Sequence, residues 1–159
     1  MALVQKYPER FDRMALCDNP GRSSPATHKA WEERIAIAQK DGMPALLEST
    51  MQRWFPEETL KRNPPHMDKI RKMILTTPVN GFVGCSAALA NHDYRPGMSG
   101  VKRPILYMCG EKDGGNTAVM RQMQKEFPAA KHVELAGAGH ISNMDRPAEF
   151  RSEEHTSEL

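Results

Sequence analysis

Pro104-Ile105-Leu106-Tyr107-Met108-Cys109-Gly110-Glu111-Lys112-Asp113-Gly114-Gly115 is the stretch on which the fold turns. Its first half is an unbroken apolar run, the pattern of a strand buried on both faces, as in the middle of a parallel sheet. Its second half is a turn bounded by glycines, which let the backbone bend sharply on either side of Asp113. Val119, Met123 and Phe127 then recur at helical spacing, and a second strand is predicted over His132–Ala136, running into Gly137-Ala138-Gly139-His140. Strand, helix, strand in this order predicts a parallel pair in an α/β sheet.

Working upstream, residues 2 to 7 read as the end of a helix, punctuated by Pro8-Glu9-Arg10. A short strand, Arg13–Cys17, follows and is closed by Asp18-Asn19-Pro20-Gly21. Four helical segments come next, each with one apolar face. Their apolar sets are Trp31, Ile35 and Ala38; Leu47, Met51, Trp54 and Phe55; Ile70, Met73 and Ile74; and Phe82, Cys85 and Leu89. The expected organisation is a core helix end and strand over 1–20, a helical insertion over 21–97, and a strand-helix-strand core with the start of a further helix over 98–150.

Composition narrows the function classes. At 159 residues the chain can bury one real core, and its net charge of +2 is too small to imply a nucleic-acid partner. No run approaches the ~18 consecutive apolar residues of a membrane span, and the N-terminus has no apolar signal core, so a cytoplasmic protein is expected, with no membrane partner. Cys17, Cys85 and Cys109 are far apart and form no C-x-x-C pair, so buried free thiols are expected and no metal or organic cofactor. Nothing in the sequence fixes an oligomeric state.

In an α/β sheet, functional loops gather at the carboxyl ends of the strands. Asp113 and His140 both lie in such loops, at the ends of two successive strands. Alone, Asp113 reads equally well as a turn aspartate and His140 as a loop histidine with a structural hydrogen bond. Together they read as the acid and base of a Ser-His-Asp triad, in which the imidazole moves the nucleophile's proton and the carboxylate holds it in the right tautomer. Trp54 and Phe55 are candidates for the wall of a substrate pocket, though an apolar pair on an amphipathic helix also reads as plain core. Arg53, Lys61, Arg62 and His66 would attract a substrate carboxylate or form a solvated face, and the eleven methionines would fill irregular gaps.

With these motifs in place, residues 2–150 resemble the α/β-hydrolase superfamily and, within it, the 3-oxoadipate enol-lactonases. The resemblance rests on Tyr7-Pro-Glu-Arg10, Leu16-Cys17-Asp18, Gln52-Arg53-Trp54-Phe55, Gly81-Phe82-Val83-Gly84-Cys85 with Asp93, Gly110-Glu111-Lys112-Asp113, and Gly137-Ala-Gly-His140-Ile-Ser-Asn143 with Arg146-Pro147. It implies that residues 21–97 are a helical cap and that Asp113 and His140 are acid and base. It further implies hydrolysis of a small lactone or carboxylic ester in aromatic-compound catabolism, without a cofactor. Another serine hydrolase of the same fold (an esterase, a haloperoxidase-like enzyme or an aminopeptidase) and a non-catalytic binding homologue remain alternatives.

The family's nucleophile, a serine in a Gly-x-Ser-x-Gly elbow that precedes the acid and base, has no counterpart among the 159 residues. Family spacing would put it shortly before Met1, so the expectation is that Met1 is an internal methionine and that these residues alone are inactive. Ser86 precedes Asp113 and His140, but no apolar strand leads into it and too little chain separates it from Asp113. Cys85 and Ser142 fail for similar reasons. At the other end, Arg151-Ser-Glu-Glu-His-Thr-Ser-Glu-Leu159 reads codon for codon as AGA TCG GAA GAG CAC ACG TCT GAA CTC, a common sequencing-adapter oligonucleotide. Residues 151–159 are therefore expected not to be native, and longer reads across the locus are the check.

Overall fold

The computed structural model describes residues 1–127 and 130–156. The last three residues of the expected adapter segment, 157–159, lie outside them. Two compact units are present. The first comprises Met1–Gly21, Trp54–Pro56 and the chain from Tyr94 onward, and the second Arg22–Arg53 and Glu57–Asp93.

The first unit is built on a three-stranded parallel sheet in the order β1 (Met14–Cys17), β2 (Ile105–Gly110), β3 (Lys131–Leu135). Met14 pairs with Ile105 and Leu106 with Lys131. β2 is central, and every one of its residues is buried, which is why its sequence shows no alternation. Alternate side chains nevertheless enter different cores. Ile105, Tyr107 and Cys109 join Leu16 with Val4 of helix α1 (Ala2–Lys6) and Met120 and Met123 of helix α8 (Gly115–Glu126). Leu106 and Met108 join Leu135 and Ala138, with Phe150 of helix α10 (Pro147–Thr156) packed against them. Helices thus cover both faces, as a parallel sheet requires, and the three strands lie within a residue or so of the predicted spans.

The second unit is helical. α2 (Pro25–Asp41) starts on Ser24, whose hydroxyl accepts the Thr27 N–H, and stops at Gly42, φ +78. A 3-10 turn (Met43–Leu46) leads to α3 (Leu47–Trp54), whose last residue belongs to the first unit, and then come α4 (Glu57–Arg62), α5 (His66–Thr76) and α6 (Val79–Ala90). α2 and α6 pack together, with Trp31 tilted against Phe82 at 6.4 Å between ring centroids. A last short helix, α7 (Arg95–Met98), returns the chain to the first unit. No single helix among the described residues is long and apolar enough to cross a membrane, and the apolar pair α5 and α6 is bent by 95°.

Several predicted faces are corrected. On α6 the buried residues are Ser86 and Ala90, while Cys85 and Leu89 are exposed. So many of its residues are apolar or small that periodicity could not choose a face. On α5 the buried set is Met67, Ile70 and Ile74, and Met73 is 57% exposed. Phe55, expected on the second apolar face, is buried at 2% but lies beyond the helix, which Pro56 stops from continuing. α4 went unpredicted because six residues are too few for periodicity, although glutamates at its start and Lys61 and Arg62 at its end suit the helix dipole. Of the thiols expected to be buried, only Cys109 is; Cys17 is half-buried. Residues 151–156 continue α10.

The tightest packing is backbone against backbone. A Cβ added at Gly110 would lie 2.2 Å from the Gly139 carbonyl oxygen and 2.4 Å from that of Ala138, whereas one added at Gly84 on α6 would meet nothing within 4 Å. Gly110→Ala is therefore expected to destabilise by about 2 kcal/mol or more, because backbone cannot yield as a side chain can. Gly84→Ala should stabilise by up to about 1 kcal/mol through helix propensity. Urea midpoints of the two variants, followed by circular dichroism, check both signs.

Candidate active site

The loop after β2 and the loop after β3 are tied together before any catalytic side chain is considered. The Glu111 N–H donates to the Leu135 carbonyl at 3.0 Å and the Lys112 N–H to the Ala138 carbonyl at 2.8 Å. The Asp113 N–H closes a turn onto the Gly110 carbonyl at 3.2 Å, which also accepts the Thr117 hydroxyl at 2.8 Å. Gly137, at φ +67, makes the reversal that only a residue without Cβ takes easily.

Carboxylates then hold the second loop through its amides. Glu111 Oε2 accepts the Gly137 N–H and Asp145 Oδ2 the Gly139 N–H, each at 2.8 Å. Asp18, at the end of β1, accepts the Ser142 hydroxyl on Oδ2 at 2.6 Å and the Gly110 N–H on Oδ1 at 3.0 Å. Burial pushes the Asp18 carboxyl up; the Ser142 hydroxyl and the Gly110 amide pull it back, the Asp113 charge pushes up and His140 pulls down.

Within this frame His140 and Asp113 meet. Nδ1 of His140 is 3.0 Å from both Asp113 oxygens, and since a carboxylate only accepts, Nδ1 carries the proton and Nε2 is left with its lone pair. Asn116, in the first turn of α8, donates its amide to the same two oxygens at 3.2 Å each. The Asp113 side chain is 4% exposed and that of His140 22%, so the acid is shielded while the imidazole reaches open space. That space is a cavity of about 280 Å³ lined by Cys17, Asp18, His140, Ile141, Asn143 and Phe150. The His140 backbone is fixed as well, its N–H donating to the Trp54 carbonyl at 2.8 Å.

The remaining candidates fall elsewhere. Trp54 is half-buried, with an indole N–H buried without an acceptor, and neither it nor Phe55 lines that cavity. Ser142 is wholly buried and engaged with Asp18. Ser86 is buried in the middle of α6, not at a strand-to-helix turn. Among the described residues no cluster of His, Cys, Asp or Glu is arranged to hold a metal ion. Sequence reasoning missed Asn116, Glu111 and Asp145 as participants in the site and placed Asp18 only at a strand end. The one available signal was the spacing of Asn116 three residues after Asp113, which suits a side chain reaching back across a helix start.

This chain belongs to the alpha/beta hydrolase fold family, which it matches over residues 1–147. It is similar to 3-oxoadipate enol-lactonase 2 of Acinetobacter baylyi, with 26% identity over 148 residues that span 93% of this chain and 55% of the relative. Among solved structures it resembles the enol-lactonase from Burkholderia xenovorans LB400, with 31% identity, a TM-score of 0.85, and 94% of this chain and 56% of that one covered. It also resembles a thermophilic esterase from Thermogutta terrifontis, with 25% identity, a TM-score of 0.83, and 94% of this chain and 56% of that one covered. The chain spans about half the length of the curated relatives it matches.

Of the three thiols, Cys17 lines the cavity beside His140, whereas Cys85 and Cys109 do not. Burial pushes the Cys109 thiol up to about 12, and its Sγ lies 3.7 Å from His132 Nε2, an imidazole itself held low by burial. Ellman's reagent at pH 8 is expected to label exposed Cys85 rapidly and Cys109 only after urea unfolding. Cys85→Ser should remove the fast phase.

Proposed function

We propose that Asp113 and His140 are the acid and base of a serine hydrolase triad, and that the parent protein hydrolyses a small lactone or carboxylic ester of the 3-oxoadipate enol-lactone type. The observation that carries this reading is the carboxylate-held imidazole in two strand-end loops, its Nε2 free to act as a base and its Nδ1 proton shared with a nearly unexposed acid. Similarity to enol-lactonases at 26 to 31% identity supports the substrate class. Similarity to an esterase favours simple carboxylic esters as the second reading.

In the proposed mechanism a serine outside these 159 residues attacks the ester or lactone carbonyl while Nε2 of His140 takes its proton. Asp113 keeps Nδ1–H pointing at itself and stabilises the imidazolium. His140 returns the proton to the leaving oxygen, and water, activated by the same imidazole, releases the acid and restores the serine. No cofactor enters. Residues 21–97 would form the cap, and the 159 residues by themselves would not turn over. The enol-lactonase likeness supports a role in aromatic-compound catabolism, and the same reading keeps a cytoplasmic setting for the parent protein.

The test pairs the purified chain with the complete product of its gene. The complete product is expected to hydrolyse enol-lactone or p-nitrophenyl acetate, the chain alone to hydrolyse neither. In the complete product, Asp113→Asn should lower kcat by about 10⁴-fold and His140→Ala by a comparable factor. Upstream DNA without an elbow serine, or a burst from the chain alone that Ser86→Ala abolishes, would overturn the proposal.

A further inference from the structure

Asp18 is a carboxylate at a strand end that the mechanism above does not use. It follows β1 directly, where Asp113 follows β2 and His140 follows β3. Its backbone sits in the left-handed region at φ +49, which Asp and Asn tolerate better than other side chains. Its N–H donates to the Met108 carbonyl at 2.8 Å, so the residue is anchored to β2 from both ends.

From there the side chain makes two different ties. Oδ1 takes the N–H of Gly110, where the acid loop begins. Oδ2 takes the hydroxyl and, at 3.4 Å, the N–H of Ser142, two residues beyond His140. Ser142 is wholly buried and Asp18 half-buried, and a charged acceptor in such surroundings makes short, directional bonds. A single carboxylate therefore holds the root of the acid loop and the exit of the base loop to a third strand. Asp18 also lines the cavity into which His140 opens.

We propose that Asp18 is a positioning residue for the Asp113–His140 pair: by clamping Gly110 and Ser142 it sets the separation at which the imidazole Nδ1–H meets its carboxylate. This rests on the reading of that pair as acid and base. The alternative role, a fold-stabilising bond with no effect on the pair, makes different demands. It requires that loss of Asp18 change stability while His140 keeps its hydrogen bond.

Nuclear magnetic resonance on the 159-residue chain separates the two. The probes are the downfield His140 Nδ1 proton, its exchange with water, and exchange of the Gly110 amide. Asp18→Gly removes the carboxylate without straining φ +49, and Ser142→Ala removes only one tie. Asp18→Asn keeps one tie to each loop, since its carbonyl oxygen accepts from Gly110 and its amide donates to the Ser142 hydroxyl oxygen, and loses only the longer bond from the Ser142 N–H. Expected is exchange of the His140 Nδ1 proton at least about tenfold faster in D18G and several-fold faster in S142A, with D18N near the parent rate. Gly110 amide exchange should rise about tenfold in D18G alone. D18G and S142A chains that melt cooperatively with the parent's Nδ1 exchange rate would overturn the proposal. If D18G does not fold, S142A decides it, unchanged exchange again overturning it. Asp113→Asn is the control: a surviving downfield resonance there would refute the acid-base reading itself, a result distinct from failure of the Asp18 variants.

Discussion

The approach of the Gly110 backbone to the Ala138–Gly139 backbone is the constraint on which the site depends. Two loops from neighbouring strands can bring an aspartate and a histidine to 3.0 Å only if their main chains nearly touch, and here no side chain fits between them. Once the chains are this close, amides of the second loop such as that of buried Gly139 turn away from water and need acceptors. Glu111, Asp145 and Asp18 supply them. The acidic character of this region is thus a consequence of backbone packing, and the catalytic-type pair lies inside a frame that exists for independent reasons.

That frame also divides labour between rigidity and access. β2, buried along its whole length, presents Asp113 from the stiffest element of the sheet. β3 lies at one edge of the sheet, with Lys131 exposed and His132 and Glu134 half-buried, and His140 follows it with its imidazole open to a cavity. Such an arrangement suits an acid that must stay still and a base that must exchange protons with a ligand.

Much of the fold was legible in the sequence because burial on two faces and burial on one leave different signatures. The apolar run at 104–109 and the helix-strand alternation around it are statements about burial, and the parallel sheet follows from them. The helices of the second unit were legible as helices but not in orientation. α6 is so rich in apolar and small residues that no face is marked, and packing against α2 chooses Ser86 and Ala90 over Cys85 and Leu89. Within the site, the glycine-flanked loops pointed to Asp113 and His140. Asp18 and Ser142 gave no comparable signal, because a hydrogen bond between residues 124 apart leaves no local spacing to read.

Sequence separation has a kinetic side. The Asp113–His140 bond closes a segment of 27 residues that contains only α8, β3 and the loops beside them. The Asp18 bonds to Gly110 and Ser142 close segments of 92 and 124 residues and require β1 to find β2 across the whole helical unit. Loop-closure entropy adds about 0.6 kcal/mol per doubling of length, so the longer closures cost about 1 kcal/mol more, and contacts of high sequence separation form slowly. Loop closure by itself therefore favours the local pairing of Asp113 with His140 over the docking of β1.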